Sequence, residues 1–395
     1  MSEIRKKEYL NKNVYEMSLE RINYLYDRFD NIVVNFSGGK DSTAVLNLTI
    51  EVAKKRNKLP VKVVFFDEEA IHPPTIEYVK RVRERKDVDL EWYCLPVKHR
   101  NACSNEQPFW FCWNPDEKDL WIREMPEFAI KEHPKFKLGL SFQEFSDRMH
   151  PVEMGTVCML VGIRTQESLR RFRAICSKKN DNFITSKADF KNTYKASPIY
   201  DWSSEDVWRA VSKFNWDYNK TYDVFNKTKL FGKYLTQRVC PPYGEEPLRG
   251  LWIYSQCFPE MWHKMLYRVK GVATAWRYGN TELYSVGLKN KPKGMTWREY
   301  LQVCLQSYNE PEKSTIQNSI NLAIKQHYNK TNDKIEDEEP NVVSGCSWKF
   351  LCKIVIKGDF KGRTVQNMMN NSLSKNKKAN ITYEDIKKLK KTTSK

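Results

Sequence analysis

Apolar residues recur at helical spacing through residues 14–28, which predicts an amphipathic helix near the start of the chain. NIVVNF at 31–36 follows, a β-branched run without polar alternation, as expected of a strand buried on both faces of a parallel sheet. A glycine turn separates it from a second helical stretch over 43–55. VKVVFFD then reads as another buried strand ending in Asp67, YVKRVRERK as a helix and LEWYCLPV as a third strand. This alternation predicts a doubly wound, mostly parallel α/β sheet. In such sheets ligands bind beyond the carboxyl ends of the strands, where the glycine turn and Asp67 both fall.

Periodicity fails between residues 101 and 154, a stretch rich in Trp, Phe and Pro that predicts an insertion over the mouth of the sheet. VCMLVGIR resumes as a strand, and Ser203 with Asp206 forms a capping pattern that starts a helix. Residues 231–330 are mostly helical in pattern. Residues 331–340 are polar and acidic and end at Pro340, which reads as a linker. From 341 to 395 thirteen Lys or Arg face three acids, giving a basic C-terminal segment. The expected organisation is therefore a nucleotide-binding domain over 1–230, a helical region, the acidic linker and the basic segment.

Charge adds a candidate partner. The 395 residues carry a net charge of +18, an excess that attracts polyanions through phosphate neutralisation, so nucleic acid is the natural candidate. No stretch is long and apolar enough to span a bilayer, and the charged N-terminus lacks a signal region, so a cytoplasmic protein with no membrane partner is expected. Ten cysteines occur without a C-x-x-C pair, which suits reduced thiols. His72, Cys94, His99, Cys103 and Cys112 lie close in sequence, but their spacing fits no defensible metal pattern and they read as core. Trp110, Trp113 and Trp121 suit either a hydrophobic lid or a surface that stacks on a base.

The densest chemistry lies in NFSGGKDSTAVL. After a strand, Gly38 and Gly39 let the backbone turn sharply and bring its N–H groups near an anion. Lys40 adds positive charge, Ser37 and Ser42 add hydroxyls, and a helix starting near Asp41 aims its N-terminus at the same place. These groups converge on a pyrophosphate, although the G-x-x-x-x-G-K spacing of a Walker A loop is absent. Lys40 and Asp41 are expected in an exposed turn. Gly162 and Arg164 end another strand, where the guanidinium fork suits a phosphate or sulfate. Lys40, Asp41 and Arg164 are the candidate catalytic residues. Glu167 and Arg171 can pair across one helical turn. Asp67 could accept from a ribose hydroxyl, join Asp41 in holding Mg²⁺, or simply cap a helix. Glu68 and Glu69 read equally well as solvated charge.

SGGKDS in this context resembles the pyrophosphate loop of the N-type ATP pyrophosphatase (PP-loop) superfamily. FFDEEAIHPPTIEYV, GIRTQESLRR and SPIYDWSSEDVW narrow the resemblance to its phosphoadenosine phosphosulfate (PAPS) reductase-like branch. The resemblance implies an adenine nucleotide alpha hydrolase-like fold binding ATP or a related adenine nucleotide with Mg²⁺. RNACSNEQPFWFCWNPDEKDLWIREMP, RVCPPYGEEPLRGLW and SWKFLCKIVIKGDF further resemble the subfamily containing immunoglobulin-binding regulator A. That implies a mobile-element or phage context and a ParB-like partner. One departure matters: the Glu-Cys-Gly motif of the sulfonucleotide reductases is absent, and neither Cys346 nor Cys352 reproduces its context. The leading expectation is cleavage of a nucleotide at its α-phosphate to activate a second substrate. Sulfonucleotide reduction or sulfur transfer, and a non-catalytic nucleotide sensor that binds DNA, are the alternatives.

Overall fold

The computed structural model describes residues 10–104, 106–176, 181–186, 192–227, 239–241, 243, 251–278, 291, 292, 294–306, 308, 310 and 312–356. Contacts divide the chain into two units, residues 1–101 with 109–272 and residues 102–108 with 273–395.

The first unit opens with α1 (Val14–Arg28). A capping box starts it: the Asn13 side chain accepts from the Glu16 N–H, and the Glu16 carboxylate accepts from the Asn13 N–H. Next come β1 (Asn31–Asn35), α2 (Lys40–Lys55), β2 (Val61–Phe66), α3 (Pro73–Arg83) and β3 (Val88–Tyr93), in the predicted alternation. The short β4 (Lys98–Arg100) and β5 (Phe109–Phe111) pair as an antiparallel hairpin in a sheet of their own. Then follow α4 (Phe142–Ser146), β6 (Val157–Leu160), α5 (Leu169–Cys176), β7 (Ile184–Ser186) and β8 (Thr193–Ala196). Helices α6 (Ser204–Lys213), α7 (Thr221–Lys227), α8 (Leu251–Cys257) and α9 (Pro259–Arg268) complete the unit.

The main sheet runs β3-β2-β1-β6-β8-β7, parallel throughout except for β7. From β1 the chain winds outward through β2 and β3, then returns to the opposite side of β1 as β6, in register Ile32 to Cys158 and Val33 to Met159. The direction of winding therefore reverses between β1 and β6, which is where such sheets open a ligand crevice. Every residue of β6 is buried, so its run of apolar positions shows no alternation. The aromatic insertion folds two of its tryptophans inward, Trp110 and Trp113 being only 2% and 1% exposed, as core side chains rather than a stacking surface, while Trp121 is half-buried.

Beyond α10 (Val272–Tyr278), the second unit packs α11 (Trp297–Gln306), α12 (Glu312–Tyr328) and α13 (Trp348–Ile356) around Leu301, Ile316, Ile320, Leu351 and Val355. Its boundary differs from the expected one, since α8 and α9 belong to the first unit through residue 272. The acidic stretch is no free linker either. Asp337 accepts from the Trp297 N–H at 2.8 Å and so caps α11, while the Trp348 N–H donates to Glu336 O at 2.9 Å. Acidic side chains are drawn there because they satisfy orphan N–H groups at a helix start. Residues 341–356, read as the root of a basic tail, are largely buried, and α13 completes the core. The remainder of that segment, 357–395, lies outside the described residues. Among the described residues no helix is long and apolar enough to cross a membrane.

Candidate functional site

β1 delivers the chain to Ser37, and Gly38 turns it with a φ of +71°, a left-handed value that favours glycine. Space forbids a side chain as well, because a Cβ on Gly38 would sit 2.9 Å from Thr75 Cγ2. Although Tyr222 Oη accepts from the Lys40 N–H, Gly39 is the N-cap of α2 and brings no side chain of its own to cap that helix. Its first-turn N–H groups are thus aimed at the loop, the arrangement that binds anions. Ser42 Oγ lies 3.1 Å from Ser37 Oγ and accepts from the Ser37 N–H at 3.3 Å, closing the loop on itself.

A polar framework that the sequence pattern does not reveal holds this turn from below. Asn219 Nδ2 donates to Gly38 O at 2.9 Å and to Thr75 Oγ1 at 2.7 Å, and Thr75 Oγ1 lies 3.0 Å from Thr221 Oγ1. The Lys40 N–H donates to Tyr222 Oη at 3.0 Å. All are buried. Asn219, Thr221 and Tyr222 come from NKTYDVF, about 180 residues downstream of the loop, with no local pattern to flag them.

The charged centre is a three-member chain. Asp41 receives Lys40 Nζ at 2.9 Å on one oxygen and Arg164 Nε at 2.7 Å on the other. Arg164 also donates from Nη1 to Gln166 Oε1 at 3.1 Å, while the Glu167 carboxylate accepts from the Arg164 N–H. The expectation of an exposed turn for Lys40 and Asp41 is corrected here: Lys40 is 3% exposed and Asp41 half-buried, with Arg164 beside them at 4%. They are held in by the meeting of two loops at the switch point. Gly162 shows how closely these loops meet, since a Cβ there would lie 2.8 Å from Asp41 C and from Ser42 N. Its role is to allow that approach, which brings Arg164 onto Asp41. Glu167 and Arg171 form the expected ion pair.

Asp67 lies at the carboxyl end of β2, but its carboxylate is wholly enclosed. It accepts from Trp92 Nε1 at 2.8 Å, the Glu69 N–H at 3.0 Å and Arg123 Nη2. Its side chain has no accessible surface. The structure therefore corrects its reading as a ribose or Mg²⁺ ligand, because the carboxylate anchors the insertion instead. Asp41 is likewise bridged by two cations, so the Asp41–Asp67 pair does not fit a resident Mg²⁺. Among the described residues no group of three or more His, Cys, Asp or Glu is placed to hold a metal.

Glu69 is structural as well. Buried completely, it accepts from the Trp113 and Ile122 N–H groups and takes a two-pronged contact from Arg268 at 2.8 and 3.1 Å. Glu68 differs from both neighbours. Burial beside the Asp67 charge pushes its half-buried carboxyl up to about 8, so it is a carboxyl able to exchange a proton near neutrality. Tyr243 donates its hydroxyl to Glu68 O at 3.3 Å, and four residues earlier Val239 approaches Gly39. The intervening segment carries Cys240, an exposed thiol close enough to Tyr222 to influence its hydroxyl electrostatically.

Comparison with known proteins fits this arrangement. The family model for the phosphoadenosine phosphosulfate reductase domain matches residues 31–225, and that of a domain of unknown function (DUF3440) matches 233–336. The chain is 31% identical over 367 residues to the uncharacterized protein YbdN of Escherichia coli, covering 88% of this chain and 89% of YbdN. It is 25% identical over 214 residues to an adenosine 5'-phosphosulfate reductase of Lysinibacillus sphaericus, covering 53% of this chain and 76% of that one. Among solved structures, the PAPS reductase of Candida auris in a phosphate complex aligns with 56% of this chain and 94% of its own, at 14% identity and a TM-score of 0.30. With the loop and the switch-point sheet in place, residues 31–225 form a phosphoadenosine phosphosulfate reductase domain, in a chain that belongs over nearly its whole length with the uncharacterized YbdN.

Proposed function

We propose that the protein is an enzyme that binds ATP, or a related adenine nucleotide, through Ser37–Ser42 and cleaves it at the α-phosphate to activate a second substrate. The observation that supports this most directly is the Lys40–Asp41–Arg164 chain at the N-terminus of α2, whose cap residue is a glycine. When a pyrophosphate group enters, its oxygens take over Lys40 and Arg164 from Asp41. The α2 N–H groups and Ser37 and Ser42 hydroxyls then surround charge that grows on the leaving group. Glu68 sits one strand away, at the same edge, with a proton affinity suited to accepting or returning the proton of the second substrate. Magnesium would come with the nucleotide as its chelate, because the chain's own carboxylates are engaged. Incubation with ATP, Mg²⁺ and candidate acceptors, followed by mass analysis, tests the reading. Pyrophosphate release with a nucleotidyl product that is lost in Lys40→Met supports it; binding of no adenine nucleotide overturns it.

A second reading, sulfonucleotide reduction or sulfur transfer, is favoured by Cys240. The missing Glu-Cys-Gly motif removes the expected nucleophile, yet a thiol stands beside the loop, and a thiolate is the species such chemistry requires. Thiol-dependent turnover of adenosine phosphosulfate or PAPS that vanishes in Cys240→Ser would replace the first reading with this one. The proposed nucleic-acid partner rests on the net charge of +18, and the proposed ParB-like partner on the sequence resemblance; co-purification from cells tests both.

A further inference from the structure

The second unit holds a cluster of nucleophilic side chains that nucleotide chemistry does not use. On α11, Tyr300 and Cys304 are four residues apart and share one face, and both pack against the core to which Cys352 of α13 belongs. The side chains of Cys304 and Cys352 are hydrogen-bonded to each other across the two helices, and Tyr300 is hydrogen-bonded to Cys304. Exposure is asymmetric, with Cys304 partly open to solvent and Cys352 fully buried behind it. Both are reduced thiols, outside any disulfide.

We propose that Cys304 and Cys352 are a redox-active thiol pair, in which Cys304 reacts with a hydroperoxide and Cys352 resolves the product into a disulfide joining α11 to α13. The Cys304 thiolate attacks the O–O bond, forming an S–O bond and expelling an alkoxide that takes up a proton. The Cys352 sulfur then attacks that sulfur; the S–S bond forms, the S–O bond breaks, and water leaves with the Cys352 proton. Two thiols are oxidised by two electrons and one hydroperoxide is reduced to an alcohol and water.

Local electrostatics fit these roles. The hydrogen bond from Cys352, aided by that from Tyr300, lowers Cys304 to about 7, so thiolate is abundant at neutral pH. The same contact raises Cys352, together with burial and the charge of Asp337, keeping it a proton-bearing donor. Cys346 lies in the same core, but burial alone pushes it up to about 12, which makes it an internal control.

Stoichiometric hydrogen peroxide followed by non-reducing peptide mass mapping of the full chain tests this. The expected product links the Cys304 and Cys352 peptides with the loss of two hydrogens. Cys352→Ser should stop at a sulfenic acid trapped by dimedone on Cys304, and Cys346→Ser should behave as the unaltered protein. Alkylation of Cys304 by iodoacetamide at neutral pH should run at least about tenfold faster than that of the half-buried Cys257, whose thiol burial raises. If peroxide modifies Cys257 in preference to Cys304, or if no crosslink forms while the protein stays folded, the proposal fails.

Discussion

Asp41 shows best how one residue can hold a structure together and, on the proposed function, also serve the site. With 4% and 5% side-chain accessibility, Lys40 and Arg164 rely on it for charge compensation. Removing one partner of a buried ion pair leaves the other uncompensated, at a cost of about 3 kcal/mol. Asp41→Ala is therefore expected to lower unfolding free energy in urea by roughly that amount and to abolish nucleotide turnover as well. Unchanged stability in this variant would mean that the three side chains are hydrated in solution. His72 gives a second test at this scale. It is 2% exposed among Phe225, Tyr254 and Phe258, and burial lowers its proton affinity to about 4. Below pH 6.5 the unfolded chain protonates at this position while the folded chain does not. Stability contributed by neutral His72 is complete above that pH and falls as pH drops toward 4, by about 3 kcal/mol in total. His72→Phe should flatten this part of the pH–stability curve; an identical acid limb in the variant would refute the assignment.

At the level of elements, the meeting of the β1 and β6 loops is the feature with the sharpest consequence. Gly162→Ala places a methyl group 2.8 Å from two backbone atoms of α2, so the loops must part by several tenths of an ångström. Nucleotide affinity should fall at least about tenfold as Arg164 shifts, since catalytic geometry is sensitive on that scale. Calorimetric titration of the folded variant checks it, and wild-type affinity would show that the loops yield freely. The strands, the first helices and this glycine loop were legible in the sequence because each carries its signal within a dozen contiguous residues. Asn219, Thr221 and Tyr222 were not, since buried hydrogen bonds to a loop far upstream leave no local periodicity. Asp67 was legible in position but not in role: its place at a strand end is a pattern, whereas its enclosure by Trp92 and Arg123 depends on how the insertion folds back. The acidic stretch misled for the opposite reason, as its composition suits a solvated linker yet its Asp337 caps a helix.

Across the whole molecule, the revised division relocates the expected basic segment. Residues 341–356 complete the second unit's core, and 357–395 carry eleven Lys or Arg against three acids. Truncation after Ile356 should leave a folded protein with a shallower salt dependence of nucleic-acid binding, each lost phosphate contact reducing the slope by about 0.7 to 0.9. Truncation after Pro340 removes α13 and should expose Leu301 and Ile320, giving insoluble or unfolded protein. Salt-titrated binding with the longer of the two truncated proteins decides the first point; an unchanged slope would remove residues 357–395 from the nucleic-acid argument.

On the proposed function, the bridging carboxylate also sets which anions the loop admits. Asp41 is tethered beside Lys40 and Arg164, so it competes with any incoming anion at a high effective concentration. A lone sulfate or phosphate ion offers little that the carboxylate does not already supply, and is turned away at ordinary concentrations. A pyrophosphate group would reach both cations and the α2 N-terminus at once, and that multipoint grip would displace the incumbent. On the proposed function, preference for a pyrophosphate over a lone oxyanion is thus built into the resting state by a competitor that never diffuses away.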